Sequence, residues 1–185
     1  KVWLSMQGYS ASDQDYVYRW IETQQPDWFG GLVAGPSSPP IPDLRARLTK
    51  KYPIRDYPDI THSVRCQFPV PFWDFSYSLT LGRECVNPRP HFFSRIIHDT
   101  MPFTQGFISY SDGFHDDFNK CLWSALAWDP DSDLYTIAAE YARLFFGSPA
   151  QEAADGLLAL EKNWEGPISS NGGIQATFRL WNRLE

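Results

Sequence analysis

The chain has 185 residues, 43% hydrophobic and 21% charged, the composition of a folded domain with a sizeable core rather than of a disordered segment. Its formal net charge is −6, so it lacks the Lys and Arg excess of a phosphate-binding surface, and no nucleic-acid partner is expected. No apolar stretch approaches the length of a bilayer span, and no membrane partner is expected.

The opening "KVWLSMQ" alternates Val2, Leu4 and Met6 against Lys1, Trp3 and Ser5, which predicts a strand. It starts inside an apolar run without an initiator Met and reads as a cut end. "SDQDYVYRWIETQQ" predicts a helix, with Ser12 as N-cap and Tyr16, Val17, Trp20 and Ile21 at helical spacing. "FGGLVAG" is a glycine-bounded strand, "PSSPPIP" a rigid loop, and "DLRARLTKKY" a helix with Leu44 and Leu48 four apart. "DITHSVRC" is the third strand, leading into the long loop "QFPVPFWDFSYSLTLGRECVNPRP". "HFFSRIIHDTM" predicts a helix with Phe92, Ile96 and Ile97 on one face, and "GFISYS" the fourth strand.

"DDFNKCLWSALAW" follows as a helix, with Phe118, Cys121, Leu122, Ala125 and Leu126 on its apolar face. From there the chain is helical only. Leu134, Ile137, Ala138, Tyr141 and Phe145 form a stripe started by Asp133 and closed by Gly147. Ser148, Pro149 and Gln151 resemble a capping box for the next helix, which carries Leu157, Leu158, Glu161 and Trp164. "GPISSNGG" breaks it, leaving one or two further helical turns.

The order is β-α-β-α-β-α-β-α and then helices. Such alternation predicts a parallel sheet with crossover helices, and four βα units are half of a (β/α)8 barrel. The expected fold class is α/β: the C-terminal half of such a barrel over residues 1–128, then an α-helical domain over 129–185. The other reading is a small, open, doubly wound sheet, but no Gly-rich phosphate fingerprint follows any strand.

Ligands of parallel α/β sheets sit at the carboxyl ends of the strands. Those ends carry Gln7 and Tyr9, then Gly35, then His62 and Arg65, then Tyr110 and Asp112. Asp112 is a candidate nucleophile or electrostatic stabiliser for glycosidic cleavage, or else a turn residue before a helix. Asp116 and Asp117 fit a first helical turn, where carboxylates complement the dipole, and His115 is either a ligand contact or solvated. In the long loop Trp73, Asp74, Tyr77, Arg83 and Glu84 either cover the strand ends or anchor the loop.

Eight Trp, nine Tyr and thirteen Phe provide either a large core or an aromatic-lined cleft of the kind that packs on sugar rings. Asp129, Asp131, Asp133 and Glu140 match positions of an EF-hand loop, but Leu134 replaces the glycine its turn requires, and Asp133 reads better as an N-cap. Cys66, Cys85 and Cys121 form no metal or redox motif and read as buried free thiols, with one disulfide open. No P-loop, H-E-x-x-H or serine elbow is present, and neither metal nor cofactor is expected.

Over "SYSDGFHDDFNKCLWSALAWDPDSDLYTIAAEYARLFFG" the chain resembles glycoside hydrolases. It is most similar to bacterial barrel proteins distantly related to the family 89 α-N-acetylglucosaminidases, and more remotely to families 20 and 67. Ser111-Asp112-Gly113, Asn119, Trp128, Asp133 and Phe146-Gly147 follow the order of that family's motifs. The resemblance covers roughly residues 100–165. It implies a barrel followed by a helical domain, a carbohydrate substrate and an extracytoplasmic or secreted setting.

It also puts Asp112 at the nucleophile position, where the family has Glu, one methylene longer. The family's acid/base Glu comes from an earlier strand that this chain does not contain; within the chain, Glu84 and Asp74 are the candidates for a second carboxyl. Gln7, His62, Arg65, Trp73, Asp74, Tyr110 and His115 are the expected substrate contacts. The expected partner is the N-terminal half of the barrel, in the same precursor or a second chain, or a second copy of this one. The alternative function is a non-catalytic carbohydrate-binding or scaffold fragment.

Overall fold

A computed structural model describes residues 1–61, 67–68, 88–111 and 116–185. The fold is mixed α/β and mostly helical, with a few parallel strands. The strands are β1 (Val2–Ser5), β2 (Phe29–Ala34), β3 (Ile54–Asp56), β4 (Asp59–Thr61) and β5 (Tyr110–Ser111). The α-helices are α1 (Ala11–Gln24), α2 (Ile41–Arg47), α3 (Pro90–Thr100), α4 (Asp117–Trp128), α5 (Leu134–Phe146), α6 (Ala150–Leu160) and α7 (Gly172–Leu184). They group into two compact units, residues 1–59 with 98–110, and residues 60–97 with 111–185.

The first unit is a parallel sheet in chain order, β1-β2-β3. A fourth segment continues it. Phe107 bridges Asp56 in parallel, and the Gln105, Ile108 and Tyr110 amides donate to the carbonyls of Ile54, Asp56 and Pro58. The third strand lies earlier than its sequence suggests, at Ile54–Asp56 with β4 beyond it. Pro58 has no N–H, so it interrupts regular pairing between the two, while its carbonyl still accepts from Tyr110. The part of "DITHSVRC" after Thr61 lies outside the described residues.

Strand register separates the two faces of this sheet. Leu4, Leu32 and Ile54 stand abreast, and Ser5, Val33 and Arg55 form the next row, facing the other way. Between Val2 and Trp3 the register slips by one residue, so that Val2 pairs with Phe29 and Trp3 with Gly31. The bulge needs its glycine. Gly31 has φ +144, and a Cβ there would lie 2.2 Å from the Pro53 carbonyl oxygen.

The slip keeps Phe29 on the same face as Leu32 and Ala34. That face packs against Tyr18 and Ile21 of α1 and against Ile41, Leu44 and the following Leu48, so α1 and α2 cover the same side. On the opposite side Trp3, Val33 and Arg55 are half-buried and Ser5 is exposed, with the Arg55 guanidinium 4.0 Å above the Trp3 ring.

The cap of helix α1 lies two residues before the expected one. Ser10 is the N-cap and closes a capping box with Asp13, which displaces Ser12 from that role. Its buried residues are Tyr18 and Ile21, whereas Tyr16 is exposed.

In the second unit α5 and α6 meet through small side chains. Ala138, Ala142, Ala150, Ala153 and Ala154 are buried together with Phe118 and Leu157. Gly156 admits α7, since a Cβ there would lie 2.9 Å from Leu180 and Trp181. The start of α3 is capped from a distance: the Glu161 carboxylate accepts from the His91 and Phe92 amides, at 2.8 Å each.

Several expected faces are rotated. In α4 the buried residues are Phe118, Asn119, Leu122, Trp123 and Leu126, while Cys121 is an exposed free thiol rather than a buried one. Cys66 and Cys85 lie outside the described residues. In α3 Phe93 and Ile97 carry the burial, and in α5 Phe145 is exposed. Helix α6 starts from Pro149 without a side-chain cap, and α7 spans 13 residues rather than a turn or two.

Candidate functional site

The carboxyl ends of the first unit's strands bring one row of side chains together. Continuing the open-face register one step past β1, β2 and β3 gives Gln7, Gly35 and Tyr57. A Cβ built on Gly35 would lie 2.7 Å from the Tyr57 ring and 3.0 Å from the Gln7 amide carbon. Glycine therefore lets Gln7 and Tyr57 approach each other across the middle strand. The Tyr110 ring lies 6.4 Å from that of Tyr57, tilted by 55°. Gln7 and Tyr110 are exposed and Tyr57 is half-buried, so the group borders solvent.

Local bonding fixes the loops around it. Ser38 turns the chain after β2: its amide donates to the Gly35 carbonyl, and its Oγ accepts from the Gly35 amide at 3.0 Å. Ser37 between them has φ +64, a left-handed conformation that the turn imposes. At β1 the Ser5 Oγ accepts from the Gln7 amide at 3.3 Å.

Asp56 ends β3 but belongs to the other face, in the row of Met6, Ala34 and Phe107. Its side chain is buried. Burial pushes its carboxyl up to about 7, partly offset by a hydrogen bond from the Tyr57 backbone. It is thus a proton-holding carboxyl near neutrality at a strand end, separated from the Gln7–Tyr57 row by the sheet itself.

Of the residues expected from sequence, Gln7 and Tyr110 belong to this first-unit group. Asp112, His62, Arg65, Trp73, Asp74 and His115 lie outside the described residues, as does Glu84. Gly35 was placed at its strand end from the sequence, whereas Tyr57 and Asp56 were missed. A local signal for Tyr57 existed: the residue before a proline is held extended, and "IRDYP" is a β-branched residue running into Pro58.

In the second unit Asp116 is the N-cap residue of α4 but makes no capping bond. Its side chain is buried beside Lys120, whose Nζ is 3.4 Å away. The buried Asn119 amide oxygen accepts from the Arg89 backbone, and the Arg89 guanidinium lies 3.7 Å over Phe92 and donates to the Phe68 carbonyl. Asp117 accepts a hydrogen bond from the Tyr141 hydroxyl, and burial together with that carboxylate raises the Tyr141 pKa.

The acidic turn before α5 is spent on backbone. Asp133 caps the helix by accepting from the Thr136 amide at 2.9 Å, and Asp129 accepts from the Asp131 amide at 3.2 Å. Among the described residues no group of three or more His, Cys, Asp or Glu is placed to hold a metal ion. Nor is any described helix long and apolar enough to cross a membrane. A cavity of about 150 Å³ lies in the helix layer of the first unit, lined by Tyr18, Glu22, Arg47 and Thr49 among others. Arg47 stacks 4.1 Å over Tyr18 and pairs with Asp15 there, on the sheet's helix-covered side.

Comparison of the chain with family models, with curated proteins and with solved structures finds no match.

Proposed function

We propose that the chain is one wall of a glycosidase-like (β/α)8 barrel with a helical extension, and that it acts on a glycosidic bond. In this reading Asp112 is the nucleophile or electrostatic stabiliser, and Gln7 and Tyr110 contact the sugar. His62, Arg65, Trp73, Asp74 and His115 contribute from the neighbouring strand ends and loops. The acid/base carboxyl comes from strands outside these 185 residues. Further parallel strands complete the barrel, from the remainder of a longer chain or from a second copy.

One observation carries this reading. Helices α1 and α2 pack on the same face of a parallel sheet whose strands run in chain order. A barrel wall carries its crossover helices on the outside and turns its other face inward; one half of a doubly wound sheet also keeps its two helices on one face, but no Gly-rich phosphate fingerprint follows these strands. The Gln7–Gly35–Tyr57 row belongs to the inward face of such a wall, at the carboxyl ends where barrel enzymes bind ligands.

The test is hydrolysis of a panel of aryl glycosides by the protein carrying all its barrel strands. Asp112→Gly should lower turnover by several orders of magnitude, and added azide should restore it with formation of a glycosyl azide, the mark of a lost nucleophile. Turnover unchanged in Asp112→Gly would refute the assignment. Sugar binding without any turnover would favour the non-catalytic carbohydrate-binding reading.

A further inference from the structure

The row at the strand ends goes beyond the contacts that sequence suggested, because Tyr57 was not among them and Gly35 acts only by leaving room. Gly35 leaves a gap in the middle of the row, and the Tyr57 ring and the Gln7 amide fill it from the two sides, at 2.7 and 3.0 Å from where a Cβ would stand. Beyond Tyr57 the same face continues through Ile108, which is 56% exposed, to the Tyr110 ring. Two aromatic rings at 55° to each other, an exposed aliphatic side chain and one neutral amide thus share a solvent-bordering surface.

We infer that Tyr57 and Tyr110 form a stacking subsite for a pyranose ring, with Gln7 as its hydrogen-bonding edge. This rests on the carbohydrate reading above and names where and how the sugar is held. An aromatic face carries negative quadrupolar charge and attracts the C–H face of a pyranose, which is apolar and slightly positive. The amide offers both a donor and an acceptor to a vicinal pair of sugar hydroxyls. Among the described residues the row itself carries no charge, and the guanidinium of Arg55, one step back on the same face, is stacked on the Trp3 ring, so the row suits a neutral sugar better than a phosphorylated or carboxylated one.

The stacking role makes Tyr57 separable from Asp112. Binding of glucose, galactose, xylose and N-acetylglucosamine is measured on the 185-residue chain by saturation-transfer NMR and titration calorimetry, since the subsite lies wholly within residues 1–59 and 98–110. Tyr57→Ala should weaken the bound sugar by about tenfold, the scale of one aromatic contact. Tyr57→Phe, which keeps the ring, should stay within about twofold. Gly35→Ala should weaken binding as Tyr57→Ala does, because its methyl displaces both neighbours; if that variant does not fold, the Tyr57 pair alone decides.

Binding indifferent to Tyr57→Ala, equal losses in Tyr57→Phe and Tyr57→Ala, or no binding of any sugar would each overturn the inference. Binding lost in Tyr57→Ala together with unchanged turnover in Asp112→Gly would uphold the subsite and remove the proposed nucleophile, so the two failures are distinguishable.

Discussion

Asp56 is held at the end of β3 with its side chain buried, and its cost to the fold depends on pH. The unfolded chain ionises this group near 3.8, whereas the folded protein keeps the proton to about 7. Below the first value both states are protonated and Asp56 contributes nothing. Between the two the unfolded state gives up its proton first, so stability falls as pH rises, and above about 7 the full penalty applies. Asp56→Asn keeps an acceptor for the Tyr57 amide and removes the titration. It should gain stability at pH 8, by at most on the order of 4 kcal/mol, and match the parent near pH 4. Urea denaturation at both pH values checks this, and a gain that is equal at both would contradict burial as the cause. Nothing local announces the effect: "IRDYP" reads as an ordinary polar end to a strand, and the burial follows from the face of the sheet on which the register puts Asp56.

At the scale of the element, caps and breakers decided where helices begin. Asp133 was legible as the start of α5, because the acceptor it offers to Thr136 is three residues away. The cap on α3 was not legible, because Glu161 lies 70 residues from His91. Asp133→Ala should cost about 1 kcal/mol. Glu161→Ala should cost a similar about 1–2 kcal/mol, since two helix-end amides lose a charged acceptor. Thermal unfolding of the two variants, with hydrogen exchange at His91 and Phe92, tests the assignment. Exchange at those amides should quicken in Glu161→Ala and not in Asp133→Ala. Helix α7 was underestimated for a related reason. Gly172-Gly173 reads as a breaker, but Asn171 caps the helix there by accepting from the Gly173 amide at 2.8 Å, and its own amide donates to the Lys162 and Glu165 carbonyls.

For the whole molecule the question is what closes the first unit's sheet. Among the described residues β1 pairs only with β2, so its other edge is open. Leu4 and Met6 pack towards α1 and α2, which leaves Trp3 and Ser5 on the face turned away from the helices and Val2 60% exposed. A parallel sheet normally has both faces covered, and an open edge invites another strand. Under the barrel reading, the isolated 185-residue chain should self-associate or bind a hydrophobe-sensing dye, and Ser5→Pro should reduce association by blocking the edge. Size-exclusion chromatography with light scattering is the measurement. A dye-silent monomer with cooperative unfolding would mean that the sheet needs no further strands, and the barrel proposal would fall.

Much of the architecture belongs to the sequence taken alone. Alternation in "KVWLSMQ", the glycine-bounded apolar run "FGGLVAG", helical spacing in α2 and α5, and the strand–helix order are properties of neighbours within a few residues, where local propensity and periodicity act. What only the tertiary structure decided depends on residues far apart in the chain. The Val2/Trp3 register slip sets which side of β2 meets the helices, and with it which strand-end residues stand abreast. The same pairing puts Gly35 between Gln7 and Tyr57 and sends Asp56 to the opposite, buried face. Each of those side chains has an ordinary local sequence, and its environment is set by cross-strand neighbours and helix packing that no window of the sequence contains.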